Sequence, residues 1–323
     1  MTDGQGNPLS GEAEREEAPH EEAAVTSPPS RRLHRLFIGP HGLRAGWRFL
    51  RYVGIFGITA IVFFVGFAWL CPLVKLKSPP VWVNLVSEFG LLLSAFAAAV
   101  AMGKFEHRPL DDYGLPRHKA FGKDFWAGVI WGFIALSVLL LMIGGVGDFT
   151  LGGLALHGLR IWKLAAFWGL FFLFVGFFEE FLFRGYTLFT LTQGMGFWPS
   201  ALLLSAIFGG VHLGNAGEAW IGALAAGMIG LFFCLTLRRT GSLWFAVGFH
   251  ASWDWAESYF YSVPDSGEVS PGHLLNSSFH GSRWLTGGSV GPEGSLFVPV
   301  VIVALWIVFE RVYGDARQEV GGF

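Results

Sequence analysis

Glu179, Glu180, His212, His250 and Asp254 are ionisable residues set within apolar segments of the chain, and together they are of the types from which a hydrolytic site could be built. A carboxylate and an imidazole that share a water can take its proton and direct the hydroxide at a carbonyl. A second imidazole with a polar neighbour can then steady the oxyanion. A charge near the centre of a bilayer costs at least ~3 kcal/mol, so such residues persist where they face a polar cavity, pair with one another, or do chemistry.

Each residue sits in a short pattern with its own physical logic. In Glu179-Glu180-Phe181-Leu182-Phe183-Arg184, Glu180 and Arg184 are four apart and share a helix face. In a low dielectric the pair can keep its charges where a lone glutamate would protonate. Glu179 lies ~100° further round the helix, free to act as a general base. In Phe208-Gly209-Gly210-Val211-His212, paired glycines thin the helix and allow close approach of a neighbouring helix or of a substrate backbone. In His250-Ala251-Ser252-Trp253-Asp254, the spacing of four stacks histidine over aspartate. Asp254 is therefore expected to orient His250 through one ring nitrogen and leave the other free. Ser252 points to a different face, and no serine or cysteine stands beside a histidine in an elbow-type context, so a covalent nucleophile is not expected. Asn84, Glu88 and Glu257 are read as polar spots outside the chemistry.

Glu179, His212 and His250 are also a ligand set for catalytic zinc with an open position. The soluble HExxH signature is absent, so such ligands would come from separate helices. Zn2+ or another divalent metal, and a metal-free Glu/His mechanism, both stay open at this point.

These residues must be positioned by membrane helices. The 323-residue chain is 53% hydrophobic and 14% charged, against about 25% charged in soluble domains. The net charge is -2 and no basic stripe interleaved with aromatics appears, which argues against nucleic acid as a partner. Eight apolar segments are expected to cross the bilayer, at roughly 52–74, 81–102, 125–146, 160–184, 198–213, 219–237, 241–260 and 295–312, by the ~20-residue length of a span. The fold class is thus all-α, a polytopic membrane protein around a polar intramembrane cavity. Lys and Arg concentrate before the first segment, between the second and third, and between the sixth and seventh, which places both termini in the cytoplasm. Residues 1–34 read as a disordered acidic tail, 35–318 as one transmembrane domain with its motif core at about 160–260, and 261–294 as a loop outside the cytoplasm. Cys71 and Cys234 show no ligand spacing and fall near opposite faces, so they are expected to pack apart rather than pair.

A depth argument adds one demand. At 1.5 Å per residue, His212 lies ~20 Å in from the cytoplasmic end and Asp254 ~18 Å. If the fourth helix ended at Arg184, Glu179 would be only ~8 Å in; if it continues to about residue 192, Glu179 lies ~20 Å in. A shared site requires the long helix.

The three patterns, in this order and on apolar helices, resemble the CPBP family, which comprises the type II CAAX prenyl endopeptidases and bacteriocin-processing or self-immunity membrane proteases. The family pattern reads Glu-Glu-x-x-x-Arg, then Phe-x-x-x-His, then His-x-x-x-Asn/Asp, and the resemblance covers roughly residues 160–260. It implies an intramembrane endopeptidase, usually described as a metalloprotease, acting on a membrane-associated protein or peptide. By motif, Glu179 and His212 would activate water and His250 and Asp254 would complete the site, with Glu180, Arg184 and Phe208 in support. Aspartate at 254 departs from the asparagine of the prenyl-protein proteases, since a carboxylate donates a hydrogen bond only when protonated. Two other readings of buried glutamate and histidine are an ion-coupled transporter and an inactive membrane scaffold or immunity protein; no internal repeat of the transporter kind is seen.

Overall fold

The computed structural model describes residues 37–39, 42–70, 81–215 and 219–314. The acidic N-terminal tail and Cys71 lie outside them. The chain divides into two units, Met1–Gly42 and Leu43–Phe323. The described part of the first is a short stretch holding a two-residue strand, Ile38–Gly39. The second holds every element discussed below.

That unit is mostly helical. Its helices are α1 (Ala45–Leu70), α2 (Trp82–Glu106), α3 (Lys123–Gly145), α4 (Leu159–Arg184), α5 (Tyr186–Met195), α6 (Phe197–His212), α7 (Trp220–Thr240), α8 (Trp244–Asp254), the four-residue α9 (Arg283–Thr286) and α10 (Val298–Tyr313). Among the described residues five runs are long and apolar enough to cross a membrane: α1, α2, α3, the continuous α4–α5 run Leu159–Met195, and α7. Eight were expected. The other three segments are helical but short, because α6 and α10 have 16 residues each and α8 gives way after 11 to a π-helical turn, Trp255–Tyr261. Ile58, Ile61, Val62 and Val65 on α1 are exposed, as side chains facing lipid are. This is an integral membrane protein.

α4 itself ends at Arg184, short of the residue 192 that the depth argument asks for, and only the combined α4–α5 run reaches Met195. The backbone breaks at Gly185, whose N–H still reaches the Phe181 carbonyl at 3.0 Å, and the chain resumes as α5 to Met195. Residues Tyr186 to Thr192 are all buried. Glu106 of α2 ties α5 down. It accepts from Arg48 Nε of α1 at 2.8 Å and from the Tyr186 hydroxyl at 2.5 Å.

α8, which carries His250 and Asp254, is wrapped by α3, α4 and α7. Its contact with α3 is unusually close. A Cβ added at Gly132 would stand 2.3 Å from both the Phe249 carbonyl and Ser252 Oγ, so only glycine allows the two backbones to meet there. Without a hydrophobic drive between helices in lipid, this kind of small-residue contact fixes where a helix sits. Ser252 is thereby turned onto α3, with its hydroxyl bonded to the Phe249 carbonyl at 3.0 Å, as the sequence pattern predicts.

Between the π-helical turn and α10 the chain forms a long, largely irregular segment. It is anchored by an antiparallel pairing of Phe149–Thr150 with Ser278–Phe279 and by a bridge between Leu154 and Leu275.

Candidate active site

The polar residues of α4 and α8 meet at one carboxylate oxygen. Glu180 Oε1 lies 3.1 Å from Arg184 Nη1 and 2.9 Å from His250 Nδ1. The Glu180 and Arg184 side chains are 0% exposed, so the expected i,i+4 pair is present and dry. A carboxylate can only accept, so the His250 Nδ1 carries the proton in this contact. The orienting partner of His250 is therefore Glu180 rather than Asp254. The reason is geometric: α4 packs directly on α8, and Glu180 reaches across to the near ring nitrogen. Asp254, on the same helix as His250, falls on the far side, with Oδ2 3.5 Å from Nε2. Glu179 Oε2 lies 3.7 Å from that same nitrogen. Neither separation is a hydrogen bond, but both place a carboxylate beside the Nε2 face.

His212 belongs to the same wall. Its Nδ1 is 2.7 Å from the Phe208 carbonyl, which can only accept, so Nδ1 is the protonated nitrogen and Nε2 holds the lone pair of the neutral ring. The four-residue spacing of phenylalanine and histidine thus has a backbone function as well as a side-chain one. The Phe208 ring lies 4.6 Å from the His212 ring, and the Arg184 guanidinium sits 4.1 Å above it, a cation–π contact in a desolvated place. The paired glycines separate in role. A Cβ at Gly209 would stand 2.3 Å from the Ala223 carbonyl of α7, whereas at Gly210 it would meet nothing within 4 Å.

Glu179, His212, His250 and Asp254 border one cavity of about 350 Å3. Asn84 and Glu88 of α2 border it too, which corrects their reading as polar spots apart from the site. They had a signal of their own, two polar residues one helical turn apart on an apolar helix. The Phe233 ring, stacked on His250 with centroids 5.9 Å apart, was missed altogether, since one phenylalanine among 33 carries no pattern.

Glu179, His212 and His250 are the ligand set that the sequence offers a catalytic zinc. Among the described residues these three do not bring ligand atoms within 4.8 Å of one another; Glu257, Asp265 and Glu293 do. The Nδ1 contacts of His250 with Glu180 and of His212 with the Phe208 carbonyl leave each Nε2 open, as in metal-bound histidines, so it is the spacing of the three ligand atoms, not their hydrogen bonding, that keeps the zinc set apart. Glu257, read from the sequence as a polar spot outside the chemistry, is fully buried. Burial, with Asp254 and Glu293 beside it, pushes the Asp265 carboxyl well above the usual carboxylate range.

Residues 161–256 match the family model described as Rce1-like, type II CAAX prenyl endopeptidase. The matched stretch holds all three patterns, from Glu179 through His212 to Asp254, and bears out the resemblance to the CPBP family, whose members are membrane proteases. No curated protein and no solved structure matches the chain.

Proposed function

We propose that this CPBP-family membrane protein is an intramembrane endopeptidase, hydrolysing a peptide bond of a membrane-associated protein or peptide with water activated by Glu179. The observation that carries the reading is that Glu179, His212, His250 and Asp254, drawn from α4, α6 and α8, border a single cavity among apolar helices.

The chemistry follows from where protons sit. Glu179 takes a proton from water as the oxygen attacks the scissile carbonyl, and the carbonyl oxygen becomes an oxyanion. His250, fixed at Nδ1 by the buried Glu180–Arg184 pair, presents Nε2 to the cavity. When that nitrogen is protonated it donates to the oxyanion, and contacts that are long at rest tighten in the transition state. As the tetrahedral intermediate collapses and its C–N bond breaks, the proton held by Glu179 passes to the leaving amine through Nε2 of His212, which takes it up and gives it on, so that Glu179 is again a carboxylate. Asp254 sets the charge beside His250. Every step uses the chain's own residues, in a cavity where low dielectric strengthens each interaction.

In the membrane we place eight crossings, with both termini in the cytoplasm and the 261–294 segment on the opposite face, from the distribution of Lys and Arg. The bacterial plasma membrane is the location that fits this reading. The partners are the lipid bilayer and the peptide substrate, with no nucleic acid.

The test is cleavage in proteoliposomes of a farnesylated peptide ending in a CAAX sequence and of its unprenylated counterpart, by wild type and Glu179→Gln. Cleavage of either by wild type and a loss of 10²-fold or more in the variant, about what a general base contributes, supports the mechanism. Undiminished turnover by Glu179→Gln removes it.

A further inference from the structure

Glu257, Asp265 and Glu293 come from three places in the chain. Glu257 lies in the π-helical turn after α8, Asp265 at the start of the following segment, and Glu293 near its end. One oxygen of each lies within 4.8 Å of the others. The backbone forces the meeting. Gly291 has φ +100°, and a Cβ there would stand 2.0 Å from the Pro264 carbonyl, so the chain just before Glu293 lies directly on the chain just before Asp265.

The local donors are too few for three carboxylates. Ser258 Oγ donates to Asp265 Oδ2 at 3.0 Å, Ser266 Oγ to Glu293 Oε2 at 2.8 Å, and Trp253 Nε1 to Glu293 Oε1 at 3.2 Å. Glu257 receives none. Its side chain is 0% exposed and both its oxygens are buried without a hydrogen-bond partner. Among the described residues no lysine or arginine forms an ion pair with any of the three. A buried carboxylate with neither donor nor counter-charge is costly, and here it points at two more carboxylates. A positive charge placed between the three oxygens satisfies all of them together.

We infer that Glu257, Asp265 and Glu293 form a binding site for a hard divalent cation of the calcium class, which ties both ends of the 262–294 segment to the end of α8. The ligand set is all oxygen, from carboxylates with serine hydroxyls close by, and lacks the nitrogen and sulfur that zinc prefers. Asp265 and Glu293 also border the cavity that holds His250 and Asp254. The cation therefore fixes the part of the cavity wall contributed by this segment. The inference concerns binding and does not rest on the protease reading.

Trp253 provides the probe, because its indole bonds directly to Glu293 and can sensitise a bound lanthanide. Full-length protein in detergent, stripped with EGTA, is titrated with Tb3+ under tryptophan excitation and then back-titrated with Ca2+. The expected result is a saturable Tb3+ signal displaced by Ca2+ at up to ~1 mM, the range of extracellular calcium modules. In Glu257→Gln and in Glu293→Gln the affinity falls roughly tenfold or more, as the ligand charge is cut, while Glu268→Gln, an exposed neighbour outside the set, titrates like wild type. A second reading needs no luminescence: Ca2+ raises the melting temperature of wild type above that in EGTA and leaves Glu257→Gln unmoved. The inference is overturned if wild type gives no saturable Ca2+-displaceable signal and no Ca2+-dependent melting shift, as when the three carboxylates are balanced by shared protons. It is equally overturned if both variants titrate like wild type.

Discussion

Glu180 Oε1 stands 2.9 Å from His250 Nδ1 and 3.1 Å from Arg184 Nη1, so one buried oxygen both neutralises the arginine and sets the imidazole. Removing Glu180 does two things at once. It strands a fully buried guanidinium, a loss of about 3–5 kcal/mol for a broken buried pair, and it frees the His250 ring. Glu180→Ala is expected to lower the melting temperature in detergent sharply. Glu180→Ala combined with Arg184→Met is expected to recover much of that stability, because no uncompensated charge remains, while peptide cleavage stays lost. A single variant as stable as wild type would show that the pair does not hold α4 on α8.

Asp254 calls for a different substitution. Its Oδ2 lies 3.5 Å from His250 Nε2, near enough to bias the ring and too far to orient it. Asparagine keeps the shape and gains an N–H that an oxyanion can use. Asp254→Asn gives up the charge beside His250 but offsets it with that N–H, and is expected to keep turnover within about tenfold of wild type; Asp254→Leu removes the charge that favours a protonated His250 Nε2 and offers no donor in its place, and is expected to lose 10²-fold or more, the scale of one lost oxyanion donor. Steady-state cleavage rates of the two variants at matched protein levels check this. Equal, near-complete loss in both would mean that the carboxylate itself is needed.

How far the sequence disclosed this site depends on how far each contact reaches along the chain. The Glu180–Arg184 pair spans four residues, and helical periodicity alone locates it, whereas the equally local contact of His212 with the Phe208 carbonyl was not read from the same spacing. The apolar run beyond Arg184 was also legible, since it extends to Met195, but the break at Gly185 that divides it into α4 and α5 was not. The partner of His250 was not legible in that way. Spacing favours Asp254, which is local, whereas Glu180 lies 70 positions away and reaches His250 only because α4 and α8 pack face to face. Five of the eight expected crossings are matched by helices long and apolar enough to span a membrane. The segment carrying His250, Asp254 and Glu257 is helical, but a π-helical turn ends α8 after 11 residues. Asp265 and Glu293 lie in an irregular segment whose fold has no period to read.

The paired glycines before His212 were legible as a pair and are different as individuals. Gly209 faces α7, where a Cβ would stand 2.3 Å from the Ala223 carbonyl, while Gly210 faces open space. Gly209→Ala forces the α6–α7 contact apart, an overpacking cost of about 1–3 kcal/mol, and shifts His212 with it. Gly210→Ala is expected to leave stability unchanged or slightly raised, since alanine is the better helix former by up to ~1 kcal/mol. Thermal melts of the two single variants separate the cases. A neutral Gly209→Ala would mean that α6 and α7 are held by something other than this close approach.

Gly291 tests the long segment without touching a titratable group. Its φ of +100° disfavours any side chain, and a Cβ would stand 2.0 Å from the Pro264 carbonyl. Gly291→Ala must therefore move the chain before Glu293 away from the chain before Asp265, which opens the segment while leaving α4, α6 and α8 packed. The expected outcome is faster limited proteolysis between residues 264 and 294, with a melting temperature that falls by less than in Glu180→Ala, because local opening is costed separately from global unfolding. Cleavage rates at these sites by an added soluble protease, read by mass spectrometry, give the measurement. Unchanged rates would show that the Gly291–Pro264 contact does not set the conformation of the segment.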